Sequence, residues 1–379
     1  MTTLQVEYTE GELLASHDYD ETLVAGGIRC HGGFTSDGTY VSPRTKHRAP
    51  AIDAWQQQHH EQFGTELLDL PLDTWPEGYP NVAQARHLLD AGVPQPIIAT
   101  LTRIGTVEGF GSMIRYSVIP DLQASFVEDV RGTAMAHLDR GLYEAHARDE
   151  AGYTDEQGHA EGGHKQMWFA ARDVAFENPV TEDETQRMLE RMGIASPGSG
   201  NVDLAALRAA AMANRVLPDD IDFDLESLIE RMTRLLLIEI SAFHTFAWAE
   251  ELLDDPARVA GDGEAARLVS YIRGDETPHV DYLRTVLSEM RDRTFVGTSG
   301  RTYAGTDLIG RVWDRALADS LGIRRSETMG LTLREVERAV AKRGAGDDVL
   351  EEFHARGSVR PGPDGTWLNA ETATEPLAS

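Results

Sequence analysis

Residues 226–253, ESLIERMTRLLLIEISAFHTFAWAEELL, decide the reading of this chain. They hold neither Gly nor Pro, and apolar side chains cover most of the helical circumference, so they predict a long helix at the centre of a helical bundle. In the middle stands Glu239, flanked by Leu235, Leu236, Leu237, Ile238 and Ile240. A carboxylate buried there without a partner is costly, and a metal ion removes that cost. Pairing with Arg234 or another basic residue is the alternative.

Working outward, the turn DDPARVAGDG (254–263) separates this helix from another running from Glu264 to about Arg293, which carries Glu276-Thr-Pro-His279. The point midway between Glu239 and Glu276 falls in that turn, so an antiparallel hairpin sets the two level. Glu and His three apart on a helix share a face and can offer one ion a carboxylate and an imidazole together. Glu161-Gly-Gly-His164 repeats the spacing.

The motif alone is weak, since four of the 13 histidines have Glu three positions earlier. Glu351/His354 lies in a short charged helix and reads as a solvated face; Glu156/His159 lies in a Gly-containing turn. Gly162-Gly163 and Pro278 mark either a kink beside the metal or the first turn of a helix. Asp275 is a candidate acceptor for a ligating imidazole N–H, or an N-cap.

Before Glu161, apolar residues Leu122, Phe126, Val130, Ala134, Leu138 and Leu142 recur every fourth position and predict one long helix over 121–150. It offers Glu128, and alternatively Glu144, level with Glu161 about Gly152. Further helices are expected at 51–63, 81–89, 97–118, up to Glu177 before Asn178-Pro179, and at 306–320, 331–343 and 346–355. Residues 1–50 read as an arm of turns and short extended pieces. SPGSGN (196–201) reads as a turn, and the tail from Arg360 as poorly ordered. Tyr271 and Tyr282 read as structural, His59 and His60 as solvent-exposed, and His244 and Trp248 as core filling. The expected class is all-α, a four-helix bundle over 119–294 with accessory helices in 1–118 and 295–379.

With 63 acidic against 35 basic residues and a net charge of −28, the surface should repel nucleic acid and anionic lipid. The single Cys30 allows no internal disulfide and no thiolate cluster, so a metal would be held by carboxylate and imidazole. No apolar run approaches the roughly 20 residues of a membrane span, and the acidic start does not resemble a signal peptide, so a cytoplasmic location is expected.

The pattern Glu, Glu-x-x-His, Glu, Asp-Glu-x-x-His resembles the ferritin-like non-haem di-iron carboxylate superfamily over roughly residues 119–294. Glu239 with Asp275-Glu276-x-x-His279 is similar to the second half-site of the arylamine N-oxygenases. As a whole the chain also resembles ferritin-like proteins of azoxy and hydrazine natural-product pathways, the valanimycin type. The resemblance implies a ferritin-like bundle with two iron ions, or a manganese/iron pair, held by Glu128, Glu161, His164, Glu239, Glu276 and His279. It implies O2 as cosubstrate, a small-molecule substrate, an external electron donor or reductase, and a homodimer as a possible assembly. Departures are the Gly-Gly in the first pair and the absence of an acid before Glu161. The competing readings are metal storage or peroxide detoxification, as in ferritins and rubrerythrins, and a metal-free helical scaffold. No GxGxxG fingerprint follows a strand, so flavin or nicotinamide would come from elsewhere.

Overall fold

A computed structural model describes residues 5–177, 180–191, 204–344, 346–362 and 367–369. The turn expected at 196–201, the Asn178-Pro179 stop and most of the tail lie outside the described residues.

Within them the protein is mostly helical, with short two- and three-stranded pieces, which makes it all-α in class. A helical turn α1 (Glu10–Leu13) leads into a small antiparallel sheet, β1 (Glu21–Ala25), β2 (Ile28–Phe34) and β3 (Tyr40–Val41). Then come α2 (Arg48–Phe63), α3 (Val82–Asp90), α4 (Gln95–Gly111), α5 (Leu122–Ser125) and α6 (Tyr143–Ala151). The hairpin β4 (Tyr153–Thr154) and β5 (Ala160–Glu161) joins α6 to α7 (His164–Phe176). After α8 (Glu182–Arg191) and α9 (Leu204–Ala213) follow the long helices α10 (Phe223–Leu253) and α11 (Glu264–Arg291). The hairpin β6 (Thr294–Val296) and β7 (Thr302–Ala304), helices α12 (Gly305–Asp319), α13 (Arg325–Arg343) and α14 (Gly346–Ala355), and strands β8 (Val359–Pro361) and β9 (Trp367–Asn369) complete the chain. Among the described residues no helix is long and apolar enough to cross a membrane.

Helix α10 starts where the Asp222 carboxylate accepts the Asp224 and Leu225 N–H groups, an N-cap that meets the orphan donors of the first turn. It packs along α11, α11 packs on α7, and α7 packs on α4. The helices around the centre therefore include α4, upstream of residue 119 where the sequence placed the boundary. Helix α13 covers α4, while α12 covers α10 and α11.

The long helix expected over 121–150 is instead three pieces. Only α5 and α6 are α-helical, and Ala134–Leu142 between them is a 3-10 turn followed by a π turn. Gly132 (φ 66°) and Gly141 (φ 131°) take conformations closed to L side chains, and Phe126 leaves the helix to bridge Phe295 in β6. All six residues of the four-residue pattern are nonetheless buried. The periodicity reported burial correctly and the backbone wrongly.

The apolar core falls into two clusters. Along α10 the first runs from Leu225 to Ile240 and the second from Phe246 to Leu253; along α11 the break lies between Ile272 and Tyr282. Glu276 and His279 occupy that break and Glu239 stands at its edge beside Ile240, so a polar layer divides the core.

Candidate metal centre

Seven side chains from five helices meet in this layer. One set is His146, Glu150, Glu239 and His279; the other is Glu108, Glu150, His164 and Glu276. Within each set one donor atom per residue lies within 4.8 Å of every other, and Glu150 belongs to both. Helix α4 supplies Glu108, α6 supplies His146 and Glu150, α7 supplies His164, α10 supplies Glu239, and α11 supplies Glu276 and His279.

His146 and Glu150 are four apart and so project from one face of α6. Their approach to α4 is possible because residue 111 is glycine: a Cβ there would stand 2.6 Å from the Glu150 Cγ. His164 is the first residue of α7, whose start is secured by the Gly163 N–H donating to the Gln166 Oε1 at 2.8 Å. The Gly-Gly pair thus marks a helix start. Pro278 does not, since it sits well inside α11.

Each histidine turns one nitrogen to the glutamates and the other to an outer polar group. His164 Nδ1 lies 2.8 Å from Glu276 Oε1, 3.6 Å from Glu150 Oε1 and 3.8 Å from Glu108 Oε2, while its Nε2 faces Asp275 Oδ2 at 3.6 Å. Asp275 accepts the Tyr40 hydroxyl at 2.9 Å and lies 3.5 Å from His31 Nε2. His279 Nδ1 lies 2.6 Å from Glu276 Oε2 and 3.4 Å from Glu150 Oε1, and its Nε2 is 3.0 Å from Asp149 Oδ2. Arg44 Nε and Arg48 Nη2 donate to Asp149 at 2.6 and 2.7 Å, and both arginines are buried. His146 Nε2 lies 3.5 Å from Glu239 Oε1 and 3.7 Å from Glu150 Oε1; its Nδ1 meets the Tyr282 hydroxyl at 3.1 Å. Outer partners of this kind fix the ring and its tautomer so that the inner nitrogen is free to ligate.

The charges of the side chains do not balance among themselves. Among the described residues no Lys or Arg forms an ion pair with Glu108, Glu150, Glu239 or Glu276; their partners are histidines. Burial, then the charges of Glu150 and Glu276, push Glu108 well above the usual carboxylate range; burial, then Glu276 and Glu150, does the same to Glu239. Burial also works against Glu276, but His164 and His279 outweigh it and hold that carboxyl well below its ordinary value. Burial lowers His146, as does the His279 ring stacked on it at 3.9 Å. Both oxygens of Glu150, one of Glu276, both nitrogens of His164 and Nε2 of His146 are buried without a hydrogen-bond partner. Buried polar atoms left orphaned in such number are rare, and cations would satisfy those that face the glutamates. Two divalent ions would match the four glutamates charge for charge, and an all-carboxylate and imidazole donor set suits iron or manganese.

Of the residues singled out in the sequence, His164, Glu239, Glu276 and His279 come together here, with Asp275 behind His164. Glu128 and Glu161 do not. Glu128 lies in the loop after the Phe126–Phe295 bridge and accepts the Thr294 N–H and Oγ1 at 2.9 and 3.0 Å. Glu161 lies in strand β5, partly exposed, 3.5 Å from Arg29 Nη2. An extended backbone does not carry the three-residue helical spacing, so Glu161 and His164 part. Glu144 pairs with Arg148 and Arg115 on the far side of α6. His59 is buried, 2.9 Å from Asp292, while His60 is exposed. His244 and Trp248 line a cavity, and Trp248 also packs against the second apolar cluster.

Glu108, His146 and Glu150 escaped the sequence reading, though signals existed. Glu108 sits among Ile104, Val107 and Phe110 much as Glu239 sits among its own apolar neighbours. The turn of the first hairpin lies at Asp155–Gly158, not Gly152, and about that turn Glu150 stands level with His164. Compared with protein-family models, curated proteins and solved structures, the chain matches none.

Proposed function

We propose that the chain is a ferritin-like di-metal carboxylate oxygenase or oxidase acting on a small metabolite. The observation that carries this reading is the buried cluster of four glutamates and three histidines, with no Lys or Arg paired to those glutamates among the described residues and with Glu150 shared between two donor sets. Glu108, Glu150, His164 and Glu276 would hold one ion, and His146, Glu150, Glu239 and His279 the other. Two iron ions bound there would supply reductive activation of O2.

The protein's own part is positioning and exclusion. Asp149, clamped by Arg44 and Arg48, keeps the proton of His279 on Nε2 and leaves Nδ1 to ligate. Asp275 Oδ2 stands 3.6 Å from His164 Nε2, and the Tyr282 hydroxyl meets His146 Nδ1 at 3.1 Å. Glu108 retains 12% and Glu239 6% of its side-chain exposure against 2% or less for the other five, so a substrate would approach from the side of Glu108 and Glu239. Reducing equivalents would come from a separate donor.

Anaerobic iron(II) titration, followed by anomalous scattering from crystals at the iron and manganese edges, tests the reading. Two ions per chain among these seven residues, with O2 consumption coupled to a small substrate, are expected. No ion near Glu239 and His279 would refute the metal centre. Continued uptake of many irons per chain, with no substrate effect on O2 consumption, would replace the oxygenase by storage.

A further inference from the structure

A cavity of about 510 Å³ opens on the flank of α4 and α10. Ile104, one turn before Glu108, and Leu237 and Ser241, on either side of Glu239, form part of its wall. Its volume is that of a small-molecule site. Three aromatic residues line it: Trp75 and Tyr79 from the segment before α3, and Trp248 from α10.

The charge of the lining runs against that of the chain. Arg103, Arg234, Arg324 and Arg325 face this space with the single carboxylate of Glu327, in a protein of net charge −28. Arg103 donates to the Thr332 Oγ1 at 3.1 Å, and among the described residues no carboxylate pairs with it. Burial pushes its guanidinium down to about 10. Arg234 uses Nη2 on Asp319 at 2.9 Å, which leaves its Nη1 buried without a partner. Tyr79 Oη and Trp248 Nε1 are likewise buried and unpartnered. Each of the three carries a hydrogen to donate, and a buried donor left unmet is costly. What these atoms lack in common is an acceptor.

We propose that this cavity binds a small organic carboxylate, its planar body among Trp75, Tyr79 and Trp248 and its carboxylate toward Arg103. Guanidinium meets carboxylate with two parallel N–H donors, and aromatic walls accept a flat apolar body. The assignment does not depend on the metal centre; under that reading it names the substrate class, because cavity and cluster share α4 and α10.

The test uses metal-free, full-length protein. Benzoate, phenylacetate and indole-3-acetate are titrated by calorimetry, each beside its neutral carboxamide, and the series is repeated with Arg103→Gln and Arg234→Gln. At least one carboxylate should bind roughly tenfold or more tightly than its amide, the worth of a charged hydrogen bond. That preference should vanish in Arg103→Gln and narrow severalfold in Arg234→Gln, which keeps the test open if the first variant does not fold. Failure of all three carboxylates to bind, amides binding equally well, or a preference that survives both substitutions would overturn the proposal. Metal content measured in parallel separates the two readings: anion binding lost with metal loading intact counts against the cavity alone, and the reverse against the centre alone.

Discussion

Glu150→Gln should make the metal-free protein more stable and at the same time abolish its stabilisation by metal. Glu150 belongs to both donor sets, within 4.8 Å of carboxylate oxygens on Glu239, Glu276 and Glu108. Coulomb's law gives roughly 4 kcal/mol for like charges about 4 Å apart in an effective dielectric near 20. Protonation limits that repulsion, because Glu108 and Glu239 have raised pKa values and take up protons at about 1.4 kcal/mol per unit. Removing the Glu150 charge should therefore return only about 1–2 kcal/mol, a rise in Tm of about 1–3 °C in the metal-free state. In the parent, an ion at about 100 times its Kd adds roughly 2.7 kcal/mol for each site. Losing the shared ligand weakens both sites together and should erase most of that gain. Scanning calorimetry with and without anaerobic iron(II), with metal counted by mass spectrometry, reads both effects. Glu161→Gln, on a surface pair with Arg29, should change neither by more than about 0.5 kcal/mol. Two ions still bound per chain in Glu150→Gln, or lost in Glu161→Gln, would refute the assignment.

Asp149→Asn leaves Arg44 and Arg48 buried beside a neutral amide and should destabilise the protein by about 3–5 kcal/mol, read in urea melts. Although burial opposes it, the two arginines hold the Asp149 carboxyl well below its ordinary value. Its contribution is thus complete above the usual carboxylate range and lost as pH falls through the folded value, and a urea series in acid should show that loss flattened in the variant. Because Glu108 and Glu239 are pushed up and ligate only when ionised, metal binding near pH 6 should release protons and weaken as pH falls; calorimetry in buffers of different ionisation enthalpy counts them. Tyr282→Phe removes the hydroxyl 3.1 Å from His146 Nδ1 and should weaken metal binding about 10- to 100-fold in a competition titration, with the circular dichroism spectrum unchanged.

The sequence made α10, α11 and their shared turn legible, because two uninterrupted periodic stretches about a Pro/Gly turn admit one arrangement. The second half of the cluster followed from it. The first half was obscured for a local reason: residues 122–142 bury every fourth side chain without being one helix, so neither the family spacing that favoured Glu128 nor the level position about Gly152 that offered Glu144 reached the cluster. The strand at Glu161 broke the three-residue spacing in the same way, and spacing arguments hold only where the backbone is helical. The outer partners were beyond reach, because Tyr40, Arg44 and Arg48 find Asp275 and Asp149 through tertiary packing that no local pattern encodes.

That packing ties the N-terminal arm to the cluster. Arg44 meets Asp149 across 105 residues of chain and Tyr40 meets Asp275 across 235, while strand β2 is bridged through Cys30 to Gly162, two residues before His164. Without the arm, Asp149 would lose Arg44 and Asp275 would lose Tyr40, so the carboxylates that stand behind His279 and His164 would be less firmly held. The helices carry all seven ligands; the arm steadies the groups that orient two of them.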